Sequence, residues 1–182
     1  MERSDLLNKM ARHVRYELDK MIDFMAIGNG WAGVLRPEFE KLTHESILEA
    51  ALIHTRCIAE FLRRSDGEDT NDPSRSVIVA RDYVPTWHWT EGEPLKAPLA
   101  QIHGRVAHLG VTRATVEDEG DFRWNEFIVL RDKPLPIILG GFRLFLSALA
   151  LVDPACHKVF NAPHSDFPDM TMEQLIDAML DA

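Results

Sequence analysis

A chain of 182 residues with 46% hydrophobic content is long enough for one globular domain with a sizeable core. Its 20 basic and 29 acidic residues give a formal charge of −9, which argues against a broad phosphate-binding surface though not against a local basic patch. Two cysteines, Cys57 and Cys156, do not make a disulfide framework, and no CxxC metal motif is present. They read as reduced thiols of a cytosolic protein.

The first predicted element is a helix from about Arg3 to Ile27. Leu6, Met10, Val14, Leu18, Met21, Phe24 and Met25 share one broad apolar face. His13 and Glu17 fall on that same face, one turn apart. A carboxylate there is costly unless paired, so the pair either reaches solvent at the helix edge or belongs to a buried site. The N-terminus is charged and amphipathic, without the apolar core and cleavage site of a secretory signal. Gly28, Asn29, Gly30 and Gly33 end the helix. They do not form a phosphate loop, since no GxxxxGK[ST] is present.

Arg36-Pro37 continues the connection, and Glu38 to Leu42 adds at most one helical turn. The clearest helix runs from Glu45 to Arg64, with Thr43 as its expected N-cap. Ile47, Ala50, Ala51, Cys57, Ile58 and Phe61 surround His54, placing the histidine in the middle of an apolar face and Cys57 toward the core. Arg56 and Glu60 are spaced for a surface pair. His54 requires a hydrogen-bond partner. It is either a satisfied core histidine or a ligand or general base in a pocket.

Residues 65–94 are the least regular part and read as a long loop or lid. An acidic, turn-forming stretch leads to SVIVARDYV, a short helix or isolated strand, and then to PTWHWTEGEP, where Trp87 and Trp89 argue for a lid folded down on the core. A third long helix is expected from Leu95 to Val116. It has a large apolar stripe (Leu95, Leu99, Ile102, Val106, Leu109), a small-residue sector and a narrow polar strip that includes His108. His103 sits between the apolar sectors. Arg113 points into the large stripe, as a cap, a snorkelling arm or a partner for Glu17.

Glu117 to Gly120 is an acidic turn and Phe122 to Arg131 a short amphipathic helix. Pro134 and Pro136 fit the first turn of the last long helix, which ends before Asp153-Pro154. Its run from Ile137 to Val152 is too short for the ~20 residues of a bilayer span. It is expected to be buried in the bundle or in an oligomer interface. Residues 154–170 are expected to be loop. Thr171 and Gln174 form a capping box for a last helix carrying Leu175, Ile176, Met179 and Leu180.

The pattern predicts an all-α fold: one domain spanning 1–182, a bundle of four long helices with short accessory ones. Contact between the first three long helices would bring His13, Glu17, His54, His103 and Arg113 together, with His108 nearby.

Two phrases resemble small helical bacterial proteins: Glu49-Ala-Ala-Leu-Ile-His54-Thr-Arg56 followed by Glu60-Phe61, and Ala107-His108-Leu109 with Arg113. The layout is similar to that of HEPN domains, which include ribonucleases and toxin or defence modules. HEPN ribonucleases carry an Arg and, four to six residues on, a His on one helix. Arg105 and His108 are too close for that motif, and Arg81 and His88 straddle Pro85, so no catalytic residue carries over. The preferred expectation is a non-catalytic, cytoplasmic binding or regulatory module that needs no cofactor, partners itself or another protein, and engages no membrane, with nucleic acid disfavoured by the charge but left open. One alternative is an enzyme holding a transition metal through His13, Glu17, His54 and His103. The other is an HEPN-like ribonuclease using His108 with Arg105 or Arg113.

Overall fold

The computed structural model describes residues 3–30, 37–63, 78–95 and 134–181. These residues are all-α, with no strand and one isolated bridge between His164 and Phe167. In order they form α1 (Arg3–Gly30), α2 (Pro37–Arg63), α3 (Ala80–Tyr83), a 3-10 turn (Thr90–Leu95), α4 (Pro134–Val152), α5 (Pro154–Phe160) and α6 (Met172–Leu180). The expected helices at Leu95–Val116 and Phe122–Arg131 lie outside the described residues, except Leu95, which is buried at the end of the 3-10 turn.

Three boundaries differ from expectation. α1 continues through Gly28 and Asn29 to Gly30. α2 starts at Pro37, so Thr43 lies inside the helix and is not its N-cap. Proline suits a first helical position, where no N–H is needed and its fixed φ is already helical. Pro154–Phe160 is helix where loop was expected. The Asp153 carboxylate accepts from the N–H groups of Ala155 (3.1 Å) and Cys156 (3.0 Å), and Pro154 fills the first position. Those N–H groups hold the Asp153 carboxyl below its ordinary range.

α1 and α2 pack along each other, α4 lies against α2 and α6, and α5 bridges α1 and α4. Among the described side chains of α2 the buried ones are Ala51, Leu52, Thr55, Ile58, Ala59, Phe61 and Leu62. That sector is centred on Thr55, Ile58 and Leu62. His54 therefore sits half-buried at its edge, not at its middle, and Cys57 is exposed, not core-facing. Leu52, Ala59 and Leu62 pull the burial away from the histidine side.

Five ring-bearing side chains from four helices close the core. Phe145 of α4 is fully buried and meets Phe61 of α2 at 5.1 Å, Phe160 of α5 at 5.3 Å, Phe142 at 5.6 Å and Tyr83 of α3 at 6.2 Å. Most of these contacts are edge-to-face, the arrangement that ring quadrupoles favour. Burial pushes the Tyr83 phenol well above its ordinary value, and its hydroxyl donates to the Leu7 carbonyl at 2.9 Å.

Of the expected lid, residues 65–77 lie outside the described residues, while Trp87 and Trp89 are buried. Trp87 Nε1 donates to the carbonyl of Leu62 at 2.8 Å, satisfying an acceptor that the last turn of α2 leaves open. Trp89 lies on α4 where Gly141 has no side chain, and a Cβ there would stand 2.5 Å from Trp89 Cε2. α6 opens on the expected capping box, with Gln174 N–H on Thr171 Oγ1 at 3.3 Å and Thr171 N–H on Gln174 Oε1 at 2.8 Å. Arg143 secures α6 to α4 through Glu173 (2.8 Å) and Asp177 (2.9 Å).

The adjacent glycines of α4 should respond with opposite signs. A Cβ at Gly140 would meet nothing within 4 Å. Gly140→Ala should stabilise the chain by about 0.5–1 kcal/mol through helix propensity. Gly141→Ala should destabilise it by about 1–2 kcal/mol, because overpacking against the rigid indole outweighs the same propensity gain. Urea unfolding of both variants measures the two changes.

Candidate functional site

α1 carries a buried stripe (Ala11, Val14, Leu18, Met21, Ile22, Met25) with a polar flank on each side. At 100° per residue, Glu17 lies about 100° from Leu18 in one direction and Asp19 about 100° in the other. The two flanks meet different elements and build separate sites.

On the first flank Glu17 reaches His54 of α2, with Glu17 Oε2 2.7 Å from His54 Nδ1. The imidazole stacks on Phe24 (5.6 Å between centroids, 8° between planes) and takes the edge of Tyr16 at 6.2 Å. An ionised carboxylate accepts only, so Nδ1 carries a proton, and in the neutral imidazole Nε2 keeps its lone pair. A carboxylate-oriented imidazole of this kind can act as a base or ligand at Nε2.

Cys57, one turn beyond His54, completes the neighbourhood. Desolvation of the thiol, followed by the charge of Glu17 and a hydrogen bond to it, pushes Cys57 up to about 11. That is the opposite of an activated nucleophile, which needs a depressed value.

On the second flank Arg15, buried at 7% exposure, spans from α1 to the end of α5. Its Nε donates to Asp19 Oδ1 at 2.9 Å, and its guanidinium donates to the carbonyls of Phe160 (3.1 Å) and Ala162. The Phe160 carbonyl is one that the C-terminal turn of α5 leaves open, and Ala162 lies just past the helix cap. Beside it stands His164, 1% exposed. The Asp166 N–H donates to His164 Nδ1 at 3.1 Å. His164 Nε2 lies 3.2 Å from Asp23 Oδ1 and 3.7 Å from Asp19 Oδ1, yet makes no aligned hydrogen bond. A buried nitrogen left in that state costs about 1–3 kcal/mol. Lys20 holds the other oxygen of Asp23, Oδ2, at 2.7 Å.

Of the residues singled out from the sequence, Glu17 and His54 meet. His13, about 140° from Leu18 on the Glu17 side, is exposed, and among the described residues no hydrogen bond ties it to either. The solvent-reaching alternative fits it. His103, His108 and Arg113 lie outside the described residues. Sequence reasoning missed Asp19, Asp23, His164 and Asp166. Its available signals were the Arg15–Asp19–Asp23 series at four-residue spacing and a His-x-Asp pair in a Pro-flanked segment.

The class so defined is an all-α protein with one carboxylate–histidine pair on each flank of its first helix. Comparison with protein-family models, curated proteins and solved structures finds no match to this chain.

Cys57 offers a direct reading of the first flank. Raising a thiol from 9.0 to about 11 cuts its thiolate fraction at pH 8 roughly a hundredfold. The gain in intrinsic nucleophilicity returns about a factor of ten. Cys57 should therefore alkylate roughly tenfold slower than an ordinary exposed thiol despite its exposure. Glu17→Gln should recover part of that rate, as peptide-resolved mass spectrometry of iodoacetamide labelling would show.

Proposed function

We propose that this protein is a non-catalytic helical binding or regulatory module, built as a single domain, that self-associates through the outer stripe of α4. The observation that carries this reading is the exposure of Leu144 (52%) and Leu151 (89%) on a helix whose opposite side is core. Gly140, Leu144, Ser147 and Leu151 line that outer side, opposite Phe142. Arg143, the one charge on the helix, pairs with Glu173 and Asp177 and also donates to Ser147 Oγ at 2.7 Å, so Leu144 and Leu151 are the apolar positions of that outer side. Two exposed leucines two turns apart on one side of a helix suit packing against another helix.

α4 is also, by length and composition, able to cross a membrane. Its nine buried residues, Phe142 and Phe145 among them, favour the role of a core helix. Two free thiols fit a reducing compartment such as the cytoplasm. The charge of −9 speaks against nucleic acid as the partner.

A catalytic reading has one feature in its favour: Glu17 fixes His54 Nδ1 and so leaves Nε2 as a ready base or metal ligand. The HEPN-like reading rests on Arg105, His108 and Arg113, which lie outside the described residues.

Sedimentation velocity over the micromolar range tests the preferred reading. The wild type is expected to form dimers, and Leu144→Glu to shift the equilibrium to monomer with an unchanged far-UV spectrum. A wild-type chain that stays monomeric, or dimers indifferent to Leu144→Glu, would overturn it.

A further inference from the structure

We infer that Asp23, His164 and Asp166 form a binding site for one transition-metal dication of the Zn2+ class. One ligand atom from each of the three lies within 4.8 Å of the other two. Acidic residues alone would not make a site, since carboxylates cluster on many surfaces. What sets this group apart is His164. The imidazole is 1% exposed, it faces Asp23 and Asp19, and its Nε2 makes no hydrogen bond. A histidine serving only to pin its loop would align Nε2–H on the Asp23 oxygen that already lies 3.2 Å away.

The surrounding groups orient the ligands. Lys20 occupies Asp23 Oδ2 and leaves Oδ1 turned toward the imidazole. Arg15 holds Asp19 through Oδ1 and also fixes the chain just before His164 through the Phe160 and Ala162 carbonyls. Such outer partners fix ligand geometry in metal sites. Asp19, Asp23 and Asp166 against Arg15 and Lys20 leave one net negative charge. Asp166 is exposed and opens the cluster to solvent.

One imidazole with carboxylates favours Zn2+ and its neighbours over Mg2+ or Ca2+, which take oxygen alone. The metal-free ring accepts at Nδ1 from the Asp166 N–H, so its proton sits on Nε2. Coordination at Nε2 moves that proton to Nδ1, where it would face the Asp166 N–H. The Asp166 peptide, in an exposed turn, must therefore swing away as its carboxylate comes onto the ion. Loss of this hydrogen bond is a signature of loading at this site rather than elsewhere.

The test uses the untagged full-length chain, stripped with a chelator and titrated calorimetrically with Zn2+ in excess Mg2+. The expected result is uptake of one equivalent per chain, with faster exchange of the Asp166 amide. Asp166→Asn and Asp23→Asn should each weaken binding about tenfold or more while leaving the circular dichroism unchanged. Asp166 is exposed, so its variant keeps the test decisive even if changes at buried His164 impair folding. His54→Gln should leave the isotherm as it is. No stoichiometric uptake, uptake indifferent to both aspartate variants, or uptake abolished by His54→Gln would each overturn the assignment.

Discussion

The packing of Phe145 against rings from four helices is the constraint on which the rest of the described structure depends. α3 and α5 are four and seven residues long, too short to persist alone. They hold their places because Tyr83 and Phe160 insert beside Phe145 and Phe61. Polar contacts then secure what the rings bring together. The Tyr83 hydroxyl takes the Leu7 carbonyl, the Trp87 indole takes the Leu62 carbonyl, and Arg15 takes the end of α5.

With α5 fixed, the chain beyond it runs back along α1, and this creates the second polar flank. His164 is buried beside Asp23, and Arg15 holds the Phe160 and Ala162 carbonyls of the chain that leads to it. The first flank depends on α1 and α2 alone, whose pairing brings Glu17 to His54. One helix thus supports two carboxylate–histidine arrangements with different connections to the core. The Glu17–His54 pair is half-open and backed by an aromatic ring, whereas His164 is sealed.

Much of the helical skeleton was legible from periodicity and capping. Pro134 opens α4, the Thr171–Gln174 box opens α6, and the two tryptophans fold down as their size suggested. The Asp153 cap was equally local, but the density of Pro and His after it read as loop and hid α5. The placing of His54 failed for a geometric reason. The apolar pattern centres the sector on His54, whereas packing through Leu52, Ala59 and Leu62 centres it on Thr55 and Ile58. The sequence shows that Glu17 and His54 each need a partner but offers His13 or Arg113 for Glu17, and the Glu17–His54 pair emerges only from the packing of α1 on α2. The His164 cluster could not be read, because nothing local marks Asp23 and His164 as neighbours. Their meeting follows from the way the core turns the chain after Phe160.

The most direct measurement is urea unfolding of Phe145→Ala, followed in parallel by tryptophan fluorescence and far-UV circular dichroism. If the ring cluster holds these helices as one unit, stability should fall by about 3–5 kcal/mol and both probes should report a single coincident transition. A loss below about 1 kcal/mol, or a fluorescence transition separated from the helical one in the wild type, would contradict that account.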